Sequence, residues 1–366
     1  MCPGAGTTAS GRTTGARVDE LVVGASPLLL LHAARQAERG RRVLLIDRGP
    51  EFGGAWSCGS WDGLTDVELG SHYLYCDRPA YDVLSTAGVD LVPMTPVPYF
   101  WRRRRLPIWR SHKVIPLRKA LLQRMPREFV KEVKRSATYG RFYYPRTGAA
   151  GLVAALVSNA ERAGVQLRTA AECTAVEVDA GGVRATVNGR TVQAGRLVSG
   201  ESFDLETLHI DGTAFAFGSR PERRTHRLMR FARTSSESLT YVEVHKHPLL
   251  KRVSLAHRPV GSAGPDTVLC VQAREATVED CRAALVDLGI VAPDATVVAS
   301  KVTEYEQVNR PWEVNRRLHR LTRRVRILPT QNCLGDSLVW YLSPGGRRLL
   351  ADDEIRDDEI RPEPRR

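Results

Sequence analysis

The residues whose types and spacing could do chemistry begin at Gly24-Ala25-Ser26-Pro27. A turn that cradles a pyrophosphate wants Gly-x-Gly-x-x-Gly. The first glycine makes the tight turn, the second lets the anion approach the backbone, and the third lets the following helix pack on the strand. The aligned positions here are Gly24, Ser26 and Leu29, so only the first glycine is kept. Ser26 adds a small side chain where phosphate would sit, although its hydroxyl can donate a hydrogen bond to an oxyanion. The bulk of Leu29 is expected to push the helix off the strand. The second candidate is Asp47, 23 positions after Gly24. An acidic residue at the end of a second strand, about twenty residues on, accepts hydrogen bonds from ribose hydroxyls. Standing alone, a solvated strand-end carboxylate would be the plainer reading.

The elements around these residues suit that chemistry. Residues 20–23 read as a short apolar strand and 28–39 as a helix ended by Gly40. Residues 42–47 read as a second strand, apolar along nearly its whole length as buried parallel strands are. Strand, turn, helix and strand of this length open a Rossmann-type sheet. Residues 89–135 form a basic, proline-punctuated segment that includes Trp101 and the run Arg102-Arg103-Arg104-Arg105. An amphipathic helix is expected over 151–163 and a strand over 165–167. A meander follows at 175–179, 183–187 and 191–194, turning at Gly181-Gly182 and Asn188-Gly189. Residues 206–324 read as irregular and arginine-rich, with strands near 239–244 and 267–272 and a helix near 278–288.

Four segments in order then carry a family resemblance. Asp47-Arg48-Gly49-Pro50-Glu51-Phe52-Gly53-Gly54 with Ala55-Trp56 is the first, and Glu68-Leu69-Gly70-Ser71-His72 the second. Arg141-Phe142-Tyr143-Tyr144-Pro145-Arg146-Thr147-Gly148, leading through a helix to Cys173-Thr174-Ala175-Val176, is the third. Asn332-Cys333-Leu334-Gly335-Asp336 is the fourth. Together they resemble the superfamily of amine oxidases, protoporphyrinogen oxidases, phytoene desaturases and UDP-galactopyranose mutases. The resemblance spans about 140 residues of the half that binds FAD in that family. It implies an α/β fold: a Rossmann-type FAD/NAD(P)-binding domain with a parallel sheet, plus an interleaved α+β substrate domain. The FAD-binding domain is expected at 18–75, 141–205 and 325–351, and the substrate domain at 76–140 and 206–324. Residues 1–17 and 352–366 are expected to be loose tails.

By the same resemblance FAD is the expected cofactor. Gly24, Ser26, Asp47, Arg48, Gly53, Gly54, Cys173, Gly335 and Asp336 are its expected contacts, Cys173 through its backbone to the adenine. Gly70 would allow close approach to a flat cofactor. His72, His112 and Tyr144 could lie near the flavin, but no catalytic side chain is assigned, because the cofactor carries the reaction. After Asp336 the family continues into a helix, whereas here Ser343-Pro344-Gly345-Gly346 interrupts the chain, leaving a short helix at 347–351.

Composition narrows the partners. The 366-residue chain carries 54 basic and 41 acidic residues, a formal net charge of +13. A basic surface attracts nucleotides, phosphosugars or anionic lipid headgroups, which leaves peripheral membrane contact open. No nucleic-acid-binding signature accompanies the charge. The longest apolar run, 21–34, is too short to span a bilayer. The seven cysteines form no CxxC pair, so no zinc site is expected and a reducing, cytoplasmic setting fits. Three functions remain: an FAD-dependent oxidoreductase acting on a small, anionic metabolite; a redox-neutral flavin-dependent nucleotide-sugar mutase; and a non-catalytic relative that has lost FAD and serves as a binding scaffold.

Overall fold

The computed structural model describes residues 17–70, 72–93, 97–100, 141–203, 205, 207–232, 241–245, 247–256, 266–273, 276–330, 334–343 and 346. The Arg102–Arg105 run, His112, the short helix expected at 347–351 and both tails lie outside them. So do Ser71, Asn332 and Cys333.

The chain begins as its first residues dictate. Strand β1 (Val18–Val23) turns at Gly24 into helix α1 (Pro27–Ala37), which returns to β2 (Val43–Ile46) beside β1. Helix α3 (Gly148–Arg162) leads to β9 (Gln166–Arg168) on the far side of β2. The long β12 (Arg190–Gly200) lies parallel to β1 on its other side, and β20 (Val325–Leu328) lies parallel to β12. The result is a parallel row β9-β2-β1-β12-β20. An antiparallel meander extends it through β10 (Cys173–Asp179), β11 (Gly182–Val187) and the first half of β12. Residues 207–214 also join this sheet, as β13 (Thr207–Ile210) and β14 (Thr213–Ala214), for nine strands in all.

Strand alternation divides the core. Val22, Leu45, Val198 and Leu328 face helices α1, α3 and α6 (Leu334–Leu342). Leu21, Leu44, Leu197 and Ile327 face the opposite way, towards the meander and α5 (Trp312–Leu321). With both faces covered, these strands need apolar side chains at successive positions, which is why their sequences alternate so little.

One polar chain crosses this interior. Glu20 and His32 are both fully buried and in contact, and His32 Nδ1 lies 2.9 Å from the Tyr341 hydroxyl on α6. Arg196 donates to the same Glu20 carboxylate through Nε at 3.0 Å. Burial alone would raise the Glu20 pKa, but His32 and Arg196 hold it down at about 2. Strand, helix, sheet neighbour and C-terminal helix are thereby tied through one carboxylate.

Five strands of the second sheet fall within 206–324, the stretch that reads as irregular, and the sixth comes from the basic, proline-punctuated segment. The sheet runs β19-β15-β18-β17-β16-β7. Its longest members are β15 (Arg220–Ala232) and β19 (Thr296–Asn309). The others are β18 (Asp266–Ala273), β17 (Leu250–Leu255), β16 (Tyr241–His245) and β7 (Val97–Phe100). Helix α4 (Val278–Asp287) begins on a Thr277–Asp280 capping box, and its Leu285 packs with Met229 and Phe231 of β15. Leu228, Val268 and Cys270 on the other face meet Val67 of the hairpin β3 (Cys58–Trp61) and β4 (Leu64–Glu68). The fold class expected from the sequence is therefore present: a largely parallel main sheet with helices, accompanied by a mostly antiparallel second sheet. The seam between them runs along β4. Among the described residues no helix is long and apolar enough to cross a membrane.

Candidate functional site

Gly24 holds φ at +101°, a backbone conformation that side chains resist. Its space matters as well, since a Cβ there would lie 3.1 Å from Leu29 Cδ1. Leu29 therefore does not push α1 off β1. It is buried at 2% exposure and folds its side chain into the room left by Gly24. The bulk at the third motif position is absorbed by the glycine at the first.

Ser26 is the N-cap residue of α1 and Pro27 follows it at the first helical position. A serine there normally accepts a hydrogen bond from the first helical turn. This one does not: its side chain makes no capping bond, and its buried Oγ has no partner. A buried hydroxyl is costly to leave unmade. The orphaned Oγ at the positive end of a helix fits an anionic oxygen as acceptor.

Asp47 sits where the second strand ends. Its Oδ2 accepts from the Ala25 N–H and its Oδ1 from the Gly49 N–H, both at 2.7 Å. A carboxylate offers about four acceptor positions, so room for two further donors remains. The Gly53 N–H donates to Ala25 O at 3.0 Å, pinning the glycine pair onto the same turn. Gly53 and Gly54 both have positive φ. A Cβ on Gly54 would stand 3.6 Å from Ser26 Cα, and one on Gly53 would press into Val153 of α3 at 2.9 Å. Gly24, Ser26, Asp47, Gly53 and Gly54 thus converge on one corner, at the carboxyl ends of β1 and β2.

The remaining expected contacts lie on the elements that follow. Arg48 is exposed directly beside it. Ala171 N–H donates to Asp47 O at 2.9 Å and Ala170 N–H to Gly49 O at 2.8 Å, which carries the chain to Cys173 at the start of β10. Burial pushes the Cys173 thiol up to about 12, so it is no nucleophile. Gly335 and Asp336 lie in the first turn of α6, shortly after β20. The carboxyl end of β20 is tied to that of β12 through Thr330 Oγ1, which accepts from Glu201 N–H at 3.1 Å. Tyr144 is buried in a small sheet, opposite Val92.

A second cluster adjoins the first. The turn after the glycine pair (Gly54–Trp56) ends in Trp56, whose ring stacks on His72 with centroids 4.5 Å apart and planes 26° apart. His72 Nδ1 lies 3.4 Å from Glu68 Oε2, and Ala149 N–H at the start of α3 donates to Glu68 Oε1 at 3.3 Å. Burial raises the Glu68 pKa, and His72 offsets it only in part. Gly70 owes its identity to the same group, since a Cβ there would strike His72 Cε1 at 2.7 Å. The imidazole itself occupies the space beside Gly70. Sequence reasoning singled out His72 but missed its pairing with Glu68 and Trp56. The i, i+4 spacing of Glu68 and His72 was the only signal, and it lies outside any helix.

A family model described as FAD dependent oxidoreductase matches residues 22–235. Among curated proteins none matches the chain. Solved structures resemble it at low identity. Reduced UDP-galactopyranose mutase aligns with a TM-score of 0.66 at 14% identity, covering 93% of this chain and 96% of that one. NikD, an unusual amino acid oxidase of nikkomycin biosynthesis, aligns at 0.55 and 17%, covering 92% and 98%. L-amino acid deaminase from Proteus vulgaris aligns at 0.55 and 12%, covering 94% of each. These likenesses speak for the fold.

Proposed function

We propose that this chain, which belongs to the FAD-dependent oxidoreductase family, binds FAD at the Gly24–Asp47–Gly54 corner and oxidises a small metabolite. The observation that carries the reading is the unpartnered Ser26 hydroxyl at the start of α1, inside a turn that Asp47 and Gly53 hold in shape. In this reading Ser26 Oγ and the helix start take the pyrophosphate, and the two open positions on Asp47 take ribose hydroxyls. Gly53 and Gly54 keep the backbone close enough to line the nucleotide. Arg48, Cys173, Gly335 and Asp336 complete the binding surface. The likeness to amino acid oxidases and deaminases favours a substrate oxidised at a carbon bearing nitrogen. The net charge of +13 favours an anionic one.

Bound FAD would supply the hydride acceptor for such a carbon. The chain's own residues orient the substrate and exclude water at the seam between the two sheets. The test is the visible spectrum of the purified protein, with oxidised-flavin bands expected, followed by anaerobic mixing with amino acids and 2-hydroxy acids. Bleaching of the bands supports the oxidoreductase. A protein that takes up no added FAD refutes the reading and favours the scaffold alternative.

A further inference from the structure

Two groups outside the nucleotide corner invite a role. Glu68 is 3% exposed, and among the described residues its side chain makes only two contacts, both long, to His72 and to the Ala149 N–H. That is thin support for a buried carboxyl group, whose charged form needs several partners. His72 is anchored through Nδ1. Its Nε2 has no hydrogen-bond partner among the described residues. The imidazole side chain keeps 13% of its surface open, against 4% for Glu68 behind it.

The position is as telling as the pairing. Trp56, which stacks on the imidazole, stands two residues after the glycine pair of the nucleotide corner. Glu68 caps the approach to α3 and also donates its N–H to Ala256 O on the second sheet's side of the seam, at 2.6 Å. His226 of β15 closes the same side through a 3.1 Å contact with Leu69 O. Nearby, the Cys58 thiol on β3 feels Glu68 and, less strongly, Asp66 on β4. His226 of β15 contacts the adjacent Leu69 O, and α3 offers the Ala149 N–H to Glu68.

We infer that His72 is a proton acceptor for the oxidised substrate, with Glu68 as the positioning residue that holds its ring and shares its charge. This rests on the flavin reading above. The substrate class is an amine or alcohol whose N–H or O–H sits beside the carbon that is oxidised. That carbon gives up its C–H hydrogen with the bonding electron pair to the flavin. The adjacent N–H or O–H gives its proton to Nε2 of His72, and its electron pair forms the new C=N or C=O bond. Glu68 and His72 together hold one proton before the step and two after it.

The test has two readouts on the full-length chain, and one needs no ligand. A charged imidazole stacked on an indole quenches its emission, so Trp56 reports the charge on His72. Acidification should lower the emission of the wild type; His72→Gln should abolish that response and Glu68→Gln should alter it, because an adjacent carboxylate favours the imidazolium. Identical responses in the wild type and Glu68→Gln overturn the pairing. The second readout is the midpoint potential of added FAD against pH. Were FAD bound beside the pair, its reduction would favour uptake of one further proton by Glu68 and His72. The wild-type slope should therefore steepen by about 30 mV per pH unit, the tenfold equivalent for a two-electron couple. His72→Gln should lose this steepening while keeping its flavin and its melting temperature. Parallel potentials in the two proteins overturn the inference and leave the flavin reading standing. A chain that takes up no FAD overturns both.

Discussion

Asp47→Ala separates the part of the corner that is already built from the part assigned to the nucleotide. The carboxylate accepts two backbone N–H groups at 2.7 Å, from Ala25 and Gly49. Hydrogen bonds to a charged group contribute roughly 1.5–3 kcal/mol each when buried. Asp47 is half-buried, and water can replace part of what is lost. A cost of about 2 kcal/mol for the pair is therefore expected, read as a shift in the urea midpoint at constant slope. The two remaining acceptor positions are assigned to ribose hydroxyls, and losing them should weaken FAD by tenfold or more, at about 1.4 kcal/mol per decade. Asp47→Asn adds a control. Its amide keeps one acceptor oxygen but turns an NH₂ group towards the second N–H, so it should destabilise nearly as much as alanine. Titration of the apoprotein with FAD, followed by flavin fluorescence, measures affinity beside stability. Lowered stability with unchanged affinity would remove Asp47 from the nucleotide. Unchanged stability would contradict the geometry of the turn itself.

Other expectations follow from the same packing. Leu29→Gly should cost roughly 3–5 kcal/mol in chemical denaturation, combining a core cavity with glycine in a helix; a cost near zero would mean that Leu29 does not fill the space beside Gly24. Ser26→Ala removes no capping bond and relieves an unpartnered buried hydroxyl, so the apoprotein should be at least as stable as the wild type, by up to about 1 kcal/mol, yet FAD should weaken by roughly 3- to 10-fold for one lost hydrogen bond. Glu20→Gln should cost about 3–5 kcal/mol, because Arg196 and His32 lose a buried partner. With a folded pKa near 2, below its ordinary 4.5, Glu20 contributes stability that is present above pH 4.5 and lost as pH falls towards 2. An acid-denaturation curve unchanged in Glu20→Gln would contradict this.

The start of the main sheet was legible because three cues agree at one place. An apolar strand meets Gly24, Pro27 opens a helix, and Gly40 closes it before a second apolar strand. The meander was legible from its turns, where Asn188 and Gly189 both adopt the positive φ that Asn-Gly favours. Helix α3 starts at Gly148, three residues before the expected 151, because Gly148 reads as a turn residue rather than a helical one. The second sheet was hidden by arginine. In β15, Arg220, Arg223, Arg224, Arg227 and Arg230 interrupt the apolar alternation, so the strand reads as a solvated stretch. In the fold Arg223 pairs with Glu304 of β19 and Arg230 with Asp62 of the hairpin. The buried chain of Glu20 was illegible for another reason. Arg196 stands 176 residues after Glu20 and Tyr341 309 residues after His32, and no local pattern reaches that far.

Two buried carboxyl groups in one chain show how differently the fold treats charge. Glu20 is met by an arginine, a histidine and, behind the histidine, a tyrosine. Its pKa is driven down, and a proton is unwelcome there at any pH at which the protein works. Such a site is fixed, and its value lies in tying β1, α1, β12 and α6 into one register. Glu68 is as deeply buried but has one imidazole and one backbone N–H at hydrogen-bonding limits, and its pKa is driven up. By linkage the folded state then holds a proton more tightly than the unfolded chain. Stability owed to Glu68 is therefore present below its unfolded pKa of 4.5 and lost as pH rises through its raised folded value. Glu68→Gln should flatten that slope and be at least as stable as the wild type at alkaline pH. The fold surrounds one carboxylate fully and leaves the other undercompensated beside an imidazole at the seam of its two sheets, which is the arrangement the inferred proton transfer needs. If instead Glu68→Gln were less stable than the wild type at every pH, Glu68 would be a second Glu20, a structural tie, and the seam would lose its claim to chemistry.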